Sequence, residues 1–346
     1  MVMLLTRQIT ANQLDIMEHH RYAVYYDDLQ EGIWVQSLHP NLNNVDLHPI
    51  TGALRHNPQL AAVLSYDRPD AIITDNGIPI LVIERTVEVP SGHNVGQRYG
   101  RLVAAAEAGV PSIYFGPYAA RKHGGATEGP RYMNLRLFYS LDKVTQVTNI
   151  ATTTINWPVD QNYEVRQDPA KDQRVREYLI LFFQEYERVG LAGLNRAIID
   201  SEFQRRQLNE RQEFIRTRVR RPAQYDGPPG SVKLLNTEDA RTRYHLPAQS
   251  LREFTHVVIY MAGMRYLRSD PYAGMAMLYK YLYIFGEENE IGLVLHFPNI
   301  TIDMWRNLEN SQRKDIRIFR GVADGIIFRD GFLDVAALQP QTTITT

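Results

Sequence analysis

The sequence predicts an α/β (α+β) protein: a mixed sheet flanked by helices, followed by a second, smaller α/β domain. Three features carry that reading. Ile72-Ile73 and Ile80-Leu81-Val82-Ile83 bracket Asp75-Asn76-Gly77, and an Asx-Gly turn between two β-branched runs is the strongest short-range hairpin signal. Residues 91–108 then carry apolar side chains at helical spacing, and residues 110–115 return to an apolar run, so the chain alternates between strand and helix periods. Beyond residues 222–231, PAQYDGPPGS, which read as a linker by their prolines and glycines, the alternation starts again.

Length and composition set outer limits. A chain of 346 residues, 44% hydrophobic with 20 tyrosines, divides into two or three globular domains. The expected divisions are a first domain over 1–150, a helical segment over 151–221, the linker 222–231, and an accessory α/β domain over 232–346. No apolar run approaches the ~20 residues of a bilayer span, and MVMLLTRQITANQL turns polar too soon for a signal peptide. With no cysteine, disulfides, thiolate zinc sites and cysteine nucleophiles are excluded, and a cytoplasmic location is expected. A net charge of −1 argues against a binder that holds polyanions through bulk charge.

Taken in order, Thr10 and Gln13 suggest a capping box opening a helix to about Tyr22, with Glu18 on its exposed side. Residues 25–68 are loop-rich, with short strands expected at 33–36 and 61–65. In the hairpin, a three-residue loop with Gly77 in the left-handed region pairs Thr74 with Ile78 and Asp70 with Val82. Asp70, Glu84 and Thr86 then share one face, with Asp70 and Glu84 as diagonal neighbours roughly 7–8 Å apart at the backbone. A two-residue loop puts the acids on opposite faces. Four apolar residues before Glu84 indicate a central strand buried on both sides.

The 91–108 helix has Ser91 as its N-cap candidate and Gly109 past its end. Its polar stripe is Asn94, Gln97, Arg98 and Arg101. Arg121-Lys122-His123-Gly124-Gly125 reads as a basic turn and 132–139 as a strand. Helices are expected from Asp172 to Gly190 and from Leu194 to Val219. The second ends in the most basic stretch, with Arg205, Arg206, Arg211, Arg216, Arg218, Arg220 and Arg221 against three glutamates. Arginine favours bidentate contacts to phosphate or guanine, although a solvated face laced with Glu–Arg pairs has the same composition. In the last unit, 250–266 and 271–285 read as helices, 291–297 as a strand and 321–338 as a hairpin. That hairpin echoes the first: Asp324-Gly325-Ile326-Ile327 against Asp70-Ala71-Ile72-Ile73.

Two carboxylates with little other charge around them call for a cation or a shared proton. Hard oxygen ligands at this spacing suit Mg²⁺, which takes one or two carboxylates and completes its shell with water and phosphate. Pro69-Asp70, the hairpin and Glu84-Arg85-Thr86 resemble the PD-(D/E)xK nuclease superfamily, which includes most type II restriction endonucleases. The resemblance covers roughly residues 60–140. It implies a restriction-endonuclease-like mixed sheet, Mg²⁺ held by Asp70 and Glu84, and double-stranded DNA as substrate, with a homodimer compatible and no membrane partner. The motif lysine falls on Thr86, so water positioning passes to Thr86 or to Gln97 and Arg98 of the following helix. The seven arginines become DNA contacts. The alternative is a catalytically inactive nucleic-acid-binding protein with a nuclease-like fold. Phosphate-loop, dinucleotide and nucleophile-elbow motifs are absent.

Overall fold

The computed structural model describes residues 21–89, 91, 94–123, 128–262, 270–285, 290–309 and 313–335. The expected helix near residues 10–22, including Glu18, lies outside them.

The first sheet is built from β1 (Tyr22–Tyr26), β2 (Asp46–Pro49), β3 (Ala71–Asp75), β4 (Ile78–Arg85), β5 (Ser112–Gly116) and β6 (Thr152–Asn156). They lie in the order β2-β1-β3-β4-β5-β6. β1 runs parallel to β2 and antiparallel to β3, β3 runs antiparallel to β4, and β5 runs parallel to both β4 and β6. Ile80 to Ile83 are fully buried, as expected for an interior strand with helices on both faces. β6 carries this sheet past residue 150, into the stretch expected to be purely helical.

Helices α1 (Leu29–Gln36) and α2 (Asn94–Glu107) flank β3 and β4 in sequence, and α3 (Leu135–Thr148) precedes β6. Two expected strands become helix here. Residues 33–36 lie in α1, because Asp28 caps its start by accepting from Gln30 N at 2.8 Å. Residues 135–139 open α3, where Asn134 accepts from Arg136 N and Phe138, Leu141 and Val144 complete a buried helical face. The leucine alternation at 135 and 137 is thus part of a helical stripe. Of residues 61–65, Ala61 ends a 3-10 turn at Pro58–Ala61, capped by Asn57, and 62–65 form a turn and a bend. A short ribbon, β7 (Ala119–Lys122) with β8 (Gly129–Tyr132), stands apart from the main sheet.

Helices α4 (Gln173–Ile199) and α5 (Glu202–Arg218) follow; α4 breaks helical geometry at Gly190, where φ is +65°. The second sheet contains β9 (Val232–Asn236), β10 (His256–Met261), β11 (Ile291–Phe297), β12 (Gly325–Phe328) and β13 (Gly331–Asp334), in the order β13-β12-β11-β10-β9. The helix expected over 250–266 is therefore corrected: Val257, Val258 and Ile259 are β-branched and pair with both β9 and β11.

The two sheets share an apolar layer. Leu102, Val103 and Phe138 from α2 and α3 pack in one cluster with Met277 and Leu278 from α7 (Asp270–Tyr283; α6 is Thr237–Tyr244) and Phe297 of β11. α2 and α7 approach so closely that a Cβ on Gly274 would lie 1.7 Å from the Gly96 carbonyl oxygen. Only glycine permits that crossing. Helices α8 (Ile302–Glu309) and α9 (Lys314–Val322) complete the second unit, and Lys314 at the start of α9 reaches across to the first.

Candidate functional site: an acid pair bridged by arginine

The hairpin brings Asp70 and Glu84 together by a different route from the one the sequence suggested. Its loop has two residues, Asn76 and Gly77, with φ +48° and +83°, the primed turn that matches strand twist. Asp75 pairs with Ile78 and Thr74 with Pro79, but Ile73 pairs with Leu81. Ile80 is therefore an extra residue in β4. Pro79 has no N–H for the ladder, and a bulge is where a strand accommodates proline. The bulge restores the parity that a two-residue loop loses. Ala71 then faces Ile83, and one step further Asp70 stands directly across from Glu84 instead of diagonally.

Asp70 is anchored by its Oδ2, which accepts from Arg85 N at 2.6 Å. Its Oδ1 and both Glu84 oxygens accept from one atom, Arg101 Nη1, at 3.2, 3.0 and 2.9 Å. Arg98 Nε lies 3.2 Å from Glu84 Oε1. Asp67 closes the cluster, accepting from Arg101 Nε at 3.1 Å and Lys314 Nζ at 3.0 Å. Three carboxylates thus meet three cations. Helical spacing places Arg98 and Arg101 one turn apart on α2.

Glu84 has no exposed surface, and Asp70 is 9% exposed. Burial first, then the Asp70 carboxylate, push Glu84 up to about 8 against the pull of Arg101 and Arg98. Burial also raises Asp70, with Arg101 opposing. At Asp67, burial acts upward, but Arg101 and Lys314 outweigh it and the group sits below its ordinary value. Arg101 is itself raised: burial disfavours its charge, and Glu84 and Asp67 more than compensate. The guanidinium keeps its proton in any case, and burial raises both of the acids that it bridges, Glu84 and Asp70.

Glu31 of α1 is an acid that sequence reasoning missed, because its helix was read as loop and strand. It is pushed up to about 7 by burial and secondarily by Asp70. Tyr114 is a second. It pairs with Glu84 in the parallel β4–β5 register, and its buried hydroxyl has no hydrogen-bond partner among the described residues.

Among the other expected site residues, Arg98 points at Glu84. Thr86 is buried on the Glu84 face, but its Oγ1 accepts from Glu88 N at 3.1 Å. It is tied to its own turn rather than to the acid pair. Gln97 lies on α2, and its side chain is outside the described residues. Among the described residues, no group of three or more His, Asp or Glu side chains is placed to hold a metal ion.

The seven arginines do not form one surface. Arg211 is 6% exposed, pairs with Asp142 at 2.5 Å and lies over the Phe138 ring. Arg206 pairs with Glu177, Arg216 with Glu213 at 2.7 Å, and Arg205 donates to the Asp200 carbonyl. Arg218 donates to the Tyr163 hydroxyl at 3.2 Å and has no acid partner among the described residues. α5 ends there, so Arg216 and Arg220 do not share a helical face. Arg218, Arg220 and Arg221 line a cavity of about 560 Å³ with Tyr132 and Tyr225. A second cavity, of about 490 Å³, begins at Val87 and Glu88, just past the acid pair, and is walled by Arg121, Lys122, His123 and Arg131. No helix of the described residues is long and apolar enough to cross a membrane.

No family model, curated protein or solved structure matches this chain.

Proposed function

We propose that the chain is a Mg²⁺-dependent endodeoxyribonuclease of the restriction type, hydrolysing phosphodiester bonds in double-stranded DNA. The observation that carries the reading is the convergence of Asp70 and Glu84, from adjacent strands, on a single cation position. That position lies at the carboxyl ends of the parallel strands β4 and β5, where open α/β sheets place ligand sites. The order hairpin, helix α2, parallel strand β5 supports a restriction-endonuclease-like core. Two hard carboxylates fit Mg²⁺, which leaves most of its shell to water and phosphate, and Asp70 and Glu84 would hold it where the Arg101 guanidinium now lies. When bound, the ion supplies a polarised water and charge neutralisation at the phosphate.

The chain's own groups have separate parts in this reading. The Arg85 N–H fixes the Asp70 carboxylate. Arg98 stands beside Glu84 to orient a phosphate oxygen, and Arg101 must swing towards Asp67 to open the site. Water positioning rests with α2, since Thr86 is engaged with Glu88. The reading carries with it a cytoplasmic enzyme, with a homodimer suited to a duplex substrate.

One observation favours the alternative, a catalytically inactive DNA-binding protein with a nuclease-like fold. Arg101 already neutralises both acids, and Glu84 is sealed from water. Incubating supercoiled plasmid with the protein and Mg²⁺ or Mn²⁺ separates the two. Nicking or linearisation that Asp70→Asn and Glu84→Gln each abolish, with binding in Ca²⁺ retained, is the expected result. Binding without cleavage by the wild type selects the inactive reading, and neither binding nor cleavage discards both.

A further inference from the structure

We infer that the β7–β8 ribbon and the C-terminal end of α5 together form the surface that grips the DNA backbone, through Lys122, Arg218, Arg220 and Arg221. The inference rests on the DNA-binding part of the function proposed above and is independent of cleavage. Only part of it overlaps the arginine run legible in the sequence.

The first ground is charge that the fold leaves uncompensated. Arg205, Arg206, Arg211 and Arg216 are each bound to an acid or a backbone carbonyl of this chain. Lys122, Arg220 and Arg221 are exposed and have no acid partner among the described residues, where Arg218 meets a neutral hydroxyl. Cations already paired give little to a phosphate; free ones release counterions on contact.

Position is the second ground. Arg131 and Tyr132 are consecutive on β8, so they face opposite sides of the ribbon. The ribbon is therefore the wall between the two cavities, Arg131 lining one and Tyr132 the other. In the first, Arg121 and His123 lean on Glu164, at 3.8 and 2.7 Å, and Glu88 is also acidic; Lys122 has no acid partner there among the described residues. Tyr163 ties the two sides: its carbonyl accepts from Arg121 N at 2.7 Å and its hydroxyl from Arg218.

Rigidity is the third. Arg136 donates to the carbonyls of Gln224 and Gly227, each at 2.9 Å, and lies over the Tyr225 ring. The segment carrying Arg220 and Arg221 is thus stapled to α3 instead of swinging as a free linker. Lys122 shares its cavity with Val87 and Glu88, just past the end of β4, so cations held in place along this wall would fix a duplex relative to the acid pair, which is what phosphate contacts contribute.

The test measures binding of a blunt duplex oligonucleotide in Ca²⁺ by fluorescence anisotropy over a salt series. Two triple variants of exposed residues are compared: Arg218→Ala/Arg220→Ala/Arg221→Ala, and Arg205→Ala/Arg206→Ala/Arg216→Ala. The first should lose on the order of tenfold or more in affinity, and its log–log salt slope should fall by about three, near 0.9 per lost phosphate contact. Lys122→Ala added to it should lower the slope by about one more. The second triple should stay within about twofold of wild type. Equal losses in both triples, an unchanged slope in the first, or a wild type that binds no duplex would overturn the inference. Loss of binding in the first triple, with a wild type that binds but never cuts, would leave this surface standing and remove the nuclease reading alone.

Discussion

The hairpins β3–β4 and β12–β13 start from nearly the same sequence and end as different objects. Each has an aspartate, a run of apolar residues and a two-residue turn. In the first, Asn76 and Gly77 both have positive φ and Ile80 is bulged, so Asp70 faces Glu84 across the ladder and one guanidinium bridges them. In the second, neither Arg329 nor Asp330 has positive φ, and the register is unbroken from Phe328–Gly331 to Gly325–Asp334. Asp324 and Asp334 consequently fall on opposite faces. Each serves the backbone, Asp324 accepting from Leu293 N at 2.7 Å and Asp334 from Leu251 N at 3.4 Å. One inserted residue converts two structural acids into a convergent pair. The second hairpin has the motif's letters without its geometry.

Removing the bridging cation should give the largest effect. Arg101→Ala leaves Asp67, Asp70 and Glu84 buried against one another and should lower stability by about 3–5 kcal/mol in urea titrations. The sharper readout is Mg²⁺: millimolar Mg²⁺ should raise the melting temperature of Arg101→Ala, and Asp70→Asn in that background should erase the rise. A variant blind to Mg²⁺ would mean that the acids do not form a cation site even when it is opened.

A pH series comes next in size. Glu84 and Glu31 have folded-state values raised, to about 8 and about 7, above their ordinary 4.5. At these two groups the folded chain therefore binds more protons than the unfolded one, and the stability they contribute is complete below pH 4.5 and lost as pH rises through 7 and 8. Stability should fall between pH 5 and pH 8, on the order of 3 kcal/mol. Glu84→Gln should flatten most of that slope. A stability that rises over the same interval would show that the guanidinium pairing, not burial, governs Glu84.

Turn chemistry gives a smaller contrast. Gly77→Val forces a side chain into φ +83° and should cost about 1–2 kcal/mol, detectable as a lowered midpoint. Asp324→Asn should be the mildest change, within about 1 kcal/mol, because the amide oxygen can still accept from Leu293 N. It should leave plasmid cleavage untouched, where Asp70→Asn abolishes it. Loss of cleavage in Asp324→Asn with unchanged stability would erase the distinction between the hairpins.

Much of the core was legible. The interior strand at 80–83, helix α2, the strand after it and the hairpin's existence all follow from local periodicity and turn residues. Helix α1 and strands β1, β6 and β10 were not, because segments this short fit either period, or in the threonine run of β6 show neither, and only their neighbours decide between them. Leu135 and Leu137 illustrate this: read alone they alternate, but Asn134 caps a helix whose face is completed by Phe138, Leu141 and Val144. At the site, the acids and Arg98 could be picked out by residue type. Arg101 was visible only as one member of a polar stripe, and nothing local says which member meets Glu84.

The sequence by itself determined where the hairpin turns, the burial of β4 and the presence of two acids beside it, since these depend on residues within a few positions of one another; the turn's length was not among them. Tertiary structure decided the rest. Whether Asp70 and Glu84 share a face depended on one unpaired residue after Pro79, a matter of ladder register that neither strand specifies alone. Which arginines are free depended on acids 29 to 69 residues away, Glu177 beneath Arg206 and Asp142 beneath Arg211. Charge is a property of composition, but its compensation is a property of contact, and contact is settled only when the chain is folded.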